Sequence, residues 1–291
     1  MSERRKILFI VNPVSGVKKK LLLDDLVSQH FNPAEFETLI YHTTRKGDAR
    51  ERSEKAVSEF YNVVVAVGGD GTINEVAQGL VNTNVPLAVI PRVSGNGFAN
   101  YFNIPHDPLK ALEVIKKGAV KVVDTGRMNG LLFLNVAGLG FDARVSAAFD
   151  VFGTRGLLSY MYIALREYFQ YKPQRYQITL SEQSLDTEAF LVTAANSSQF
   201  GNDAYIAPQA KIDDGLLDLV ILKPTGFFGL ISISFRLFRG TVHKSNYCDI
   251  IKTQSVRIKH SDIEGQIDGE PIKVNAETNI EIVPKSLSVI A

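Results

Sequence analysis

The sequence predicts two domains in one chain, an α/β domain on a parallel, three-layer sheet followed by a mainly antiparallel, β-sandwich-like domain. Three observations predict it. Short apolar runs alternate with helical stretches over the first third of the chain; a glycine cluster directly follows one of those runs; and beyond residue 120 the texture changes to strand-like segments separated by turns. The boundaries implied are 1–123 and 124–283, with 284–291 a terminal strand whose return to the first domain the sequence leaves open.

The apolar runs at residues 6–11, 36–41, 63–67 and 86–90 read as strands, and Lys18 to His30 and Asp48 to Phe60 as helices between them. A β-α-β-α alternation implies parallel strands covered on both faces, with ligands at the carboxyl ends of the strands. Four loops should therefore converge on one edge: Asn12 to Gly16, His42 to Thr44, Gly68 to Thr72, and Pro91 to Gly97. In the second domain, residues 120–128, 131–136, 176–180, 189–196 and 216–222 read as strands. Gly156 to Tyr171 and Phe227 to Gly240 read as helices.

The segment Val63 to Leu80 carries most of the functional signal. A β-branched run ends in Gly68-Gly69-Asp70-Gly71-Thr72, and a helical pattern follows. Glycines let the backbone approach a ligand without a Cβ in the way. First-turn amides and the helix dipole attract an anion, and Asp70 places a carboxylate where phosphate-bound Mg²⁺ can be held. The competing reading is a packing turn with Thr72 as N-cap and Glu75 closing a capping box. The string is neither a Walker A loop nor the Gly-x-Gly-x-x-Gly fingerprint.

Composition narrows the class. In 291 residues, 32 basic side chains face 31 acidic ones, so no global field steers the chain towards nucleic acid or an anionic membrane, and any membrane contact is local. A single cysteine, Cys248, excludes an internal disulfide, fits a reducing compartment and is most simply a core residue. Five histidines show no paired zinc spacing, and no Gly-x-Ser-x-Gly elbow supports an acyl-enzyme. No apolar run approaches the roughly 20 residues that span a bilayer, and the amino-terminal run is too short for a signal peptide. A cytoplasmic protein, soluble or peripheral on the inner face of the membrane, is expected; homodimerisation is left open.

Taken together, Asn12-Pro13-x-Ser15-Gly16, Thr43 with Gly47-Asp48-Ala49, Gly68 to Val76, Pro91 with Ser94-x-Asn96, Asp124 with Gly126, Asn135-x-Ala137-Gly138, Pro208-x-Ala210-Lys211-x-Asp213-Asp214-Gly215 and Asp268-Gly269-Glu270 resemble the diacylglycerol kinase catalytic family, especially its soluble bacterial lipid kinases. The resemblance covers nearly the whole chain. It implies ATP and Mg²⁺ as cofactors, a lipid substrate at the membrane surface, and an active site in the cleft between the domains. By this likeness Asn12, Ser15, Gly16, Thr43, Gly68, Gly69, Asp70, Gly71, Thr72, Asn74 and Ser94 line the nucleotide site. Asp268 and Glu270 match the paired catalytic acids. Lys211, Asp214 and Leu216 match a structural Mg²⁺ site, the outer two through carbonyls, while Asp70 and Asp124 match a metal-linked acidic network.

The chemistry suits the assignment, since an alcohol acceptor must be oriented and must lose its proton as the phosphoryl group moves. Read alone, Ile-Asp-Gly-Glu-Pro is a hairpin turn, which is compatible with presenting two acids. Residues 211–215 read equally as a surface turn. Most aromatics of the two helices in the second domain are expected to pack in the core. The alternative is an acyl-chain groove or membrane contact, with Arg155, Arg166, Arg236 and Arg239 near headgroup phosphates.

Two positions depart from the bacterial pattern. Val93 brings a branched side chain to a place normally open for the nucleotide, and Gly97 lacks an expected carboxylate. The Ser94-Gly95-Asn96 core is similar to the sphingosine and ceramide kinase branch. A sphingoid-lipid kinase, an NAD kinase sharing the Gly-Gly-Asp-Gly-Thr loop, and a non-catalytic nucleotide or lipid sensor are the alternatives to a diacylglycerol-type kinase.

Overall fold

The computed structural model describes residues 4–15, 23–93, 95–152, 157–181 and 183–291. They divide into two compact units, residues 1–123 with 285–291, and residues 124–284.

The first unit contains β1 (Arg5–Val11), α1 (Leu23–His30), β2 (Phe36–His42), α2 (Asp48–Ser58), β3 (Val63–Gly68), α3 (Asp70–Leu80), β4 (Leu87–Pro91), α4 (Gly97–Tyr101), α5 (Pro108–Lys117) and the start of β5 (Val120–Met128). Its strands run parallel in the order β2-β1-β3-β4, with Phe9 opposite both Ile40 and Val65. Every residue of β3 is buried, as a parallel strand covered on both faces requires. Ile7, Phe9, Val63 and Val65 pack with Val27 of α1 and Leu112 and Ile115 of α5 on one face. The alternate residues Leu8, Ile10 and Val64 are equally inaccessible on the other, where α2 and α3 pack. Each such side chain stabilises the unit by roughly 1.5–3 kcal/mol.

The second unit continues with β6 (Leu131–Phe133), β7 (Val136–Gly140), α6 (Phe141–Phe152), α7 (Leu157–Tyr168), β8 (Gln174–Thr179), β9 (Ser184–Ala189), β10 (Leu191–Ala195), β11 (Leu217–Leu222), α8 (Phe227–Phe238), β12 (Cys248–Thr253), β13 (Ser255–Lys259), β14 (Glu264–Ile267), β15 (Glu270–Lys273) and β16 (Glu277–Ile290). Six strands form an antiparallel sheet in the order β12-β11-β10-β7-β14-β15. A second layer pairs β9, β8, β13 and the first part of β16, again antiparallel. Between the layers lie Leu139, Val192, Leu219 and Ile221 from one sheet and Tyr176, Ile178, Ile258 and Ile280 from the other. This is the sandwich-like arrangement the sequence predicts. On the outer face of the six-stranded sheet, Val220 and Leu222 pack with Phe141 and Val145 of α6, Ile163 of α7 and Ile233 of α8. Cys248 is buried there, and burial pushes its thiol up to about 12.

Two local expectations change. Helix α3 starts at Asp70 with Gly69 in the N-cap position, and no side chain caps it. Thr72 is therefore a helical residue, and Glu75 turns away from a capping box to accept the Gly47 amide at 2.9 Å. The aromatics of α8 are the second case: within that helix only Ile233 is buried, and most of the rings face outward.

Candidate active site

In the first unit the loops at the carboxyl ends of β1, β2 and β3 are tied together by short polar contacts. The Asn12 amide donates to the Val67 carbonyl at 3.0 Å, and the Thr43 amide to that of Val11 at 2.9 Å. Asn12 Nδ2 donates to Thr72 Oγ1 at 3.1 Å, joining the first loop to α3. Asn12 also organises its own turn, accepting from the Val14 amide at Oδ1 and from Ser15 Oγ at its carbonyl. Beside Thr43, Asp48 accepts from the Thr44 amide at 2.7 Å, a contact that holds its carboxyl below the usual range. Asn74 is buried and accepts from Gln78 Nε2. Gly16 and Ser94 lie outside the described residues, as does Arg155.

Val93 packs against the glycine loop. A Cβ built on Gly69 would lie 2.9 Å from Val93 Cγ2, so the valine occupies the space that the missing side chain leaves. Close by in sequence, Asn96 caps α4 by accepting the Ala99 amide at 2.7 Å, and its side chain is fully buried. Its Nδ2 is buried with no partner among the described residues. The first-turn amides of α3, which no side chain caps, suit an anion.

In the second unit Asp268 and Gly269 form the two-residue loop between β14 and β15, with Ile267 paired to Glu270. Both loop residues have positive φ, 49° and 83°, the type I′ geometry that Asp-Gly favours. The Asp268 carboxylate accepts from the amides of Leu134 at 2.9 Å, Asn135 at 2.8 Å and Val136 at 3.1 Å. Its own amide donates to the Val136 carbonyl. Glu270 is exposed beside it. The turn is thus pinned to the strand opposite, and Asp268 is fixed in orientation.

Asp124 is buried, and its Oδ2 accepts the Gly215 amide at 2.7 Å. It therefore braces the 211–216 loop. Asp214 accepts from the Leu216 amide at 3.1 Å and from Lys252 Nζ at 2.9 Å, and Lys252 also reaches Asp218. These oxygens are of the hard kind Mg²⁺ takes, and Lys252 shares the Asp214 carboxylate through Oδ2. Among the described residues no group of three His, Cys, Asp or Glu side chains could hold a metal ion.

Residues 6–128 match the diacylglycerol kinase catalytic domain, and residues 135–291 match the YegS C-terminal NAD kinase beta sandwich-like domain. The chain belongs to the diacylglycerol kinase catalytic family. It is 32% identical over 278 residues to the diacylglycerol kinase of Bacillus subtilis, covering 91% of this chain and 90% of the relative. To that of Staphylococcus epidermidis it is 31% identical over 298 residues, covering 98% and 94%. Among solved structures, a diacylglycerol kinase from Bacillus anthracis shares its fold with a TM-score of 0.77 and 25% identity, over 100% of this chain and 98% of that one. This family member is accordingly an enzyme, a phosphotransferase with an alcohol group as acceptor.

The kinase also carries a buried polar group that the sequence reading missed. Asp142, at the start of α6, accepts from Thr193 Oγ1 at 2.7 Å and from Gln266 Nε2 at 3.1 Å. Burial pushes its carboxyl up to about 6, against the pull of those hydrogen bonds. Gln266 in turn accepts the Gly269 amide at 2.9 Å, so the network ends on the Asp268 turn. Its one visible signal was an acid directly after the uncharged, largely apolar run Val136 to Phe141. Asn196, whose Nδ2 bridges the carbonyls of Asp124 and Leu134, gave none.

Proposed function

We propose that this kinase transfers the γ-phosphate of ATP to the hydroxyl of a diacylglycerol-like lipid. The observation that carries the reading is the Asp268 turn, where a carboxylate is held by three backbone amides and lies beside an exposed second acid. In the proposed reaction the lipid hydroxyl gives its proton to Asp268, with Glu270 assisting. Its oxygen bonds the γ-phosphorus, the bond to the bridging oxygen breaks, and ADP leaves. The glycine loop, Asn12, Ser15, Gly16, Thr43, Asn74 and Ser94 are assigned to the nucleotide, with Gly68 to Thr72 cradling phosphate. Asp70 would hold a Mg²⁺ bound to the nucleotide phosphates, and that ion would supply neutralisation of their charge. Transfer through a loose transition state depends mainly on positioning and electrostatics, so the fixed orientation of Asp268 supports the reading.

The membrane-associated acceptor makes a cytoplasmic enzyme with peripheral membrane contact the consistent location; no helix among the described residues is long and apolar enough to cross a bilayer. A sphingoid acceptor is the second reading, favoured by the Ser94-Gly95-Asn96 core and by Gly97 in place of a carboxylate.

The test is transfer of labelled γ-phosphate from MgATP to mixed micelles of diacylglycerol, phosphatidylglycerol, sphingosine or ceramide, with Asp268→Asn in parallel. Labelled diacylglycerol lost in the variant supports the reading. Labelled sphingosine or ceramide alone moves the assignment to the sphingoid branch, and ATP binding with no labelled lipid overturns catalysis in favour of a sensor.

A further inference from the structure

Helix α8, with the sequence FFGLISISFRLF, has no acidic residue and is apolar almost all round. Such a helix is ordinarily buried on every side. Here Ile233 and Leu237 face the core cluster of the second unit, while the opposite stripe faces outward. Phe227, Phe228, Ile231, Phe235 and Phe238 are 43%, 86%, 50%, 57% and 44% exposed. Phe169, just past the end of α7 and 71% exposed, extends the stripe by stacking on Phe227 at a centroid distance of 6.1 Å.

The charges carried by the helix and its C-cap, Arg236 and Arg239, are both positive. The Arg239 guanidinium lies 4.2 Å from the centre of the Phe235 ring, and neither Arg239 nor Arg236 has a carboxylate partner among the described residues. Elsewhere on helices the arginines are paired, as Arg144 and Arg166 are with Glu167. A contiguous apolar stripe with unpaired cations marks an interaction surface rather than scattered exposed residues.

We propose that the outward face of α8, extended by Phe169, docks on a lipid bilayer that carries anionic headgroups. The rings enter the boundary between headgroups and acyl chains, and Arg236 and Arg239 meet headgroup phosphates. A second copy of the chain is the poorer occupant, because the same face of a partner carries no carboxylate to meet Arg236 and Arg239. The surface deepens the lipid-kinase reading and rests on it only for the reason a bilayer is the relevant partner.

The experiment is co-sedimentation of the full chain with vesicles of phosphatidylcholine alone and of phosphatidylcholine with phosphatidylglycerol, with neither ATP nor acceptor lipid present. The wild type is expected to bind the mixed vesicles more tightly. The double variant Phe228→Ser with Phe235→Ser should weaken binding roughly tenfold or more at both compositions. Arg236→Gln with Arg239→Gln should remove the preference for phosphatidylglycerol, about fivefold for each arginine. Phe228, Phe235 and Arg239 are exposed and Arg236 is half-buried, and unchanged melting temperatures would show that the variants fold. Wild-type protein that stays in the supernatant, or variants that bind as well as wild type, would overturn the proposal. So would a dimer in sedimentation velocity that the phenylalanine variant dissociates while vesicle binding is unchanged. Micellar phosphotransfer is a separate readout: lost vesicle binding with transfer intact faults the docking surface alone, and lost transfer with docking intact faults the kinase reading alone.

Discussion

Gln266 donates its Nε2–H to Asp142 at 3.1 Å. With its other side-chain atom the same glutamine accepts the Gly269 amide, so a buried acid and the turn that carries Asp268 are joined through one side chain. Gln266 is 1% exposed and lies in β14, two residues before Asp268.

Replacing Gln266 with Leu removes both bonds and leaves a buried acceptor short of a donor. The cost expected is about 1–3 kcal/mol of stability. Because the turn loses one of its anchors, kcat should fall while KM for ATP stays near wild type. Thermal melts and steady-state kinetics check the two effects separately.

Asp268→Asn should abolish phosphate transfer while ATP binding persists. Asparagine accepts the left-handed backbone at this position, yet its NH₂ would face at least one of the three amides that the carboxylate now accepts. A stability loss of about 1–3 kcal/mol is expected alongside. Labelled-phosphate transfer with calorimetric nucleotide titration decides it; a variant that still transfers at the wild-type rate would remove Asp268 from the chemistry.

Asp142 gives the protein a pH dependence of defined sign. The folded state keeps this proton up to about pH 6, whereas the unfolded chain releases it near 3.8. Between those values the folded state binds the extra proton, so this group's contribution to stability is present below pH 3.8 and is lost as pH rises through 6. The loss is on the order of 3 kcal/mol. Denaturant unfolding of wild type and Asp142→Asn at matched pH should show the difference between them changing over this window and flat above it.

Val93→Gly should lower the KM for ATP, by about fivefold if opening Gly69 is worth about 1 kcal/mol. An unchanged or raised KM would mean that the valine packs beside the nucleotide rather than over its phosphates.

Lys252 competes with a divalent cation for Asp214. In Lys252→Met the carboxylates of Asp214 and Asp218 lose their ammonium partner, and Mg²⁺ should raise the melting temperature of the variant but not of wild type. At roughly five times Kd the gain is about 1 kcal/mol. Identical Mg²⁺ responses in both proteins would separate this loop from metal binding.

Much of this architecture was legible because local chemistry and global fold agree. The β-branched run before Gly68 could only be a strand buried on both faces, and Asp268-Gly269 could hardly be anything but a two-residue hairpin. Thr72 was misplaced for a local reason: the sequence offered a hydroxyl cap, but helix α3 begins two residues earlier, at Asp70, with Gly69 in the N-cap position and no side-chain cap. Asp142 and Gln266 were out of reach for a different reason. They stand 124 positions apart, and the contact that gives each its meaning exists only when β7 and β14 are paired. The outward rings of α8 escaped because apolar content predicts burial, and sequence alone does not say which side of a helix finds a neighbour.

The last strand carries a consequence for synthesis. Residues 285–291 belong to the first unit, where Val289 pairs in parallel with Leu87 of β4. A ribosome making this chain from its amino terminus has therefore released all of the second unit before it delivers the residues that cover β4. Until then the nascent first unit holds an open, apolar sheet edge, which is the period in which a chaperone would have most to shield.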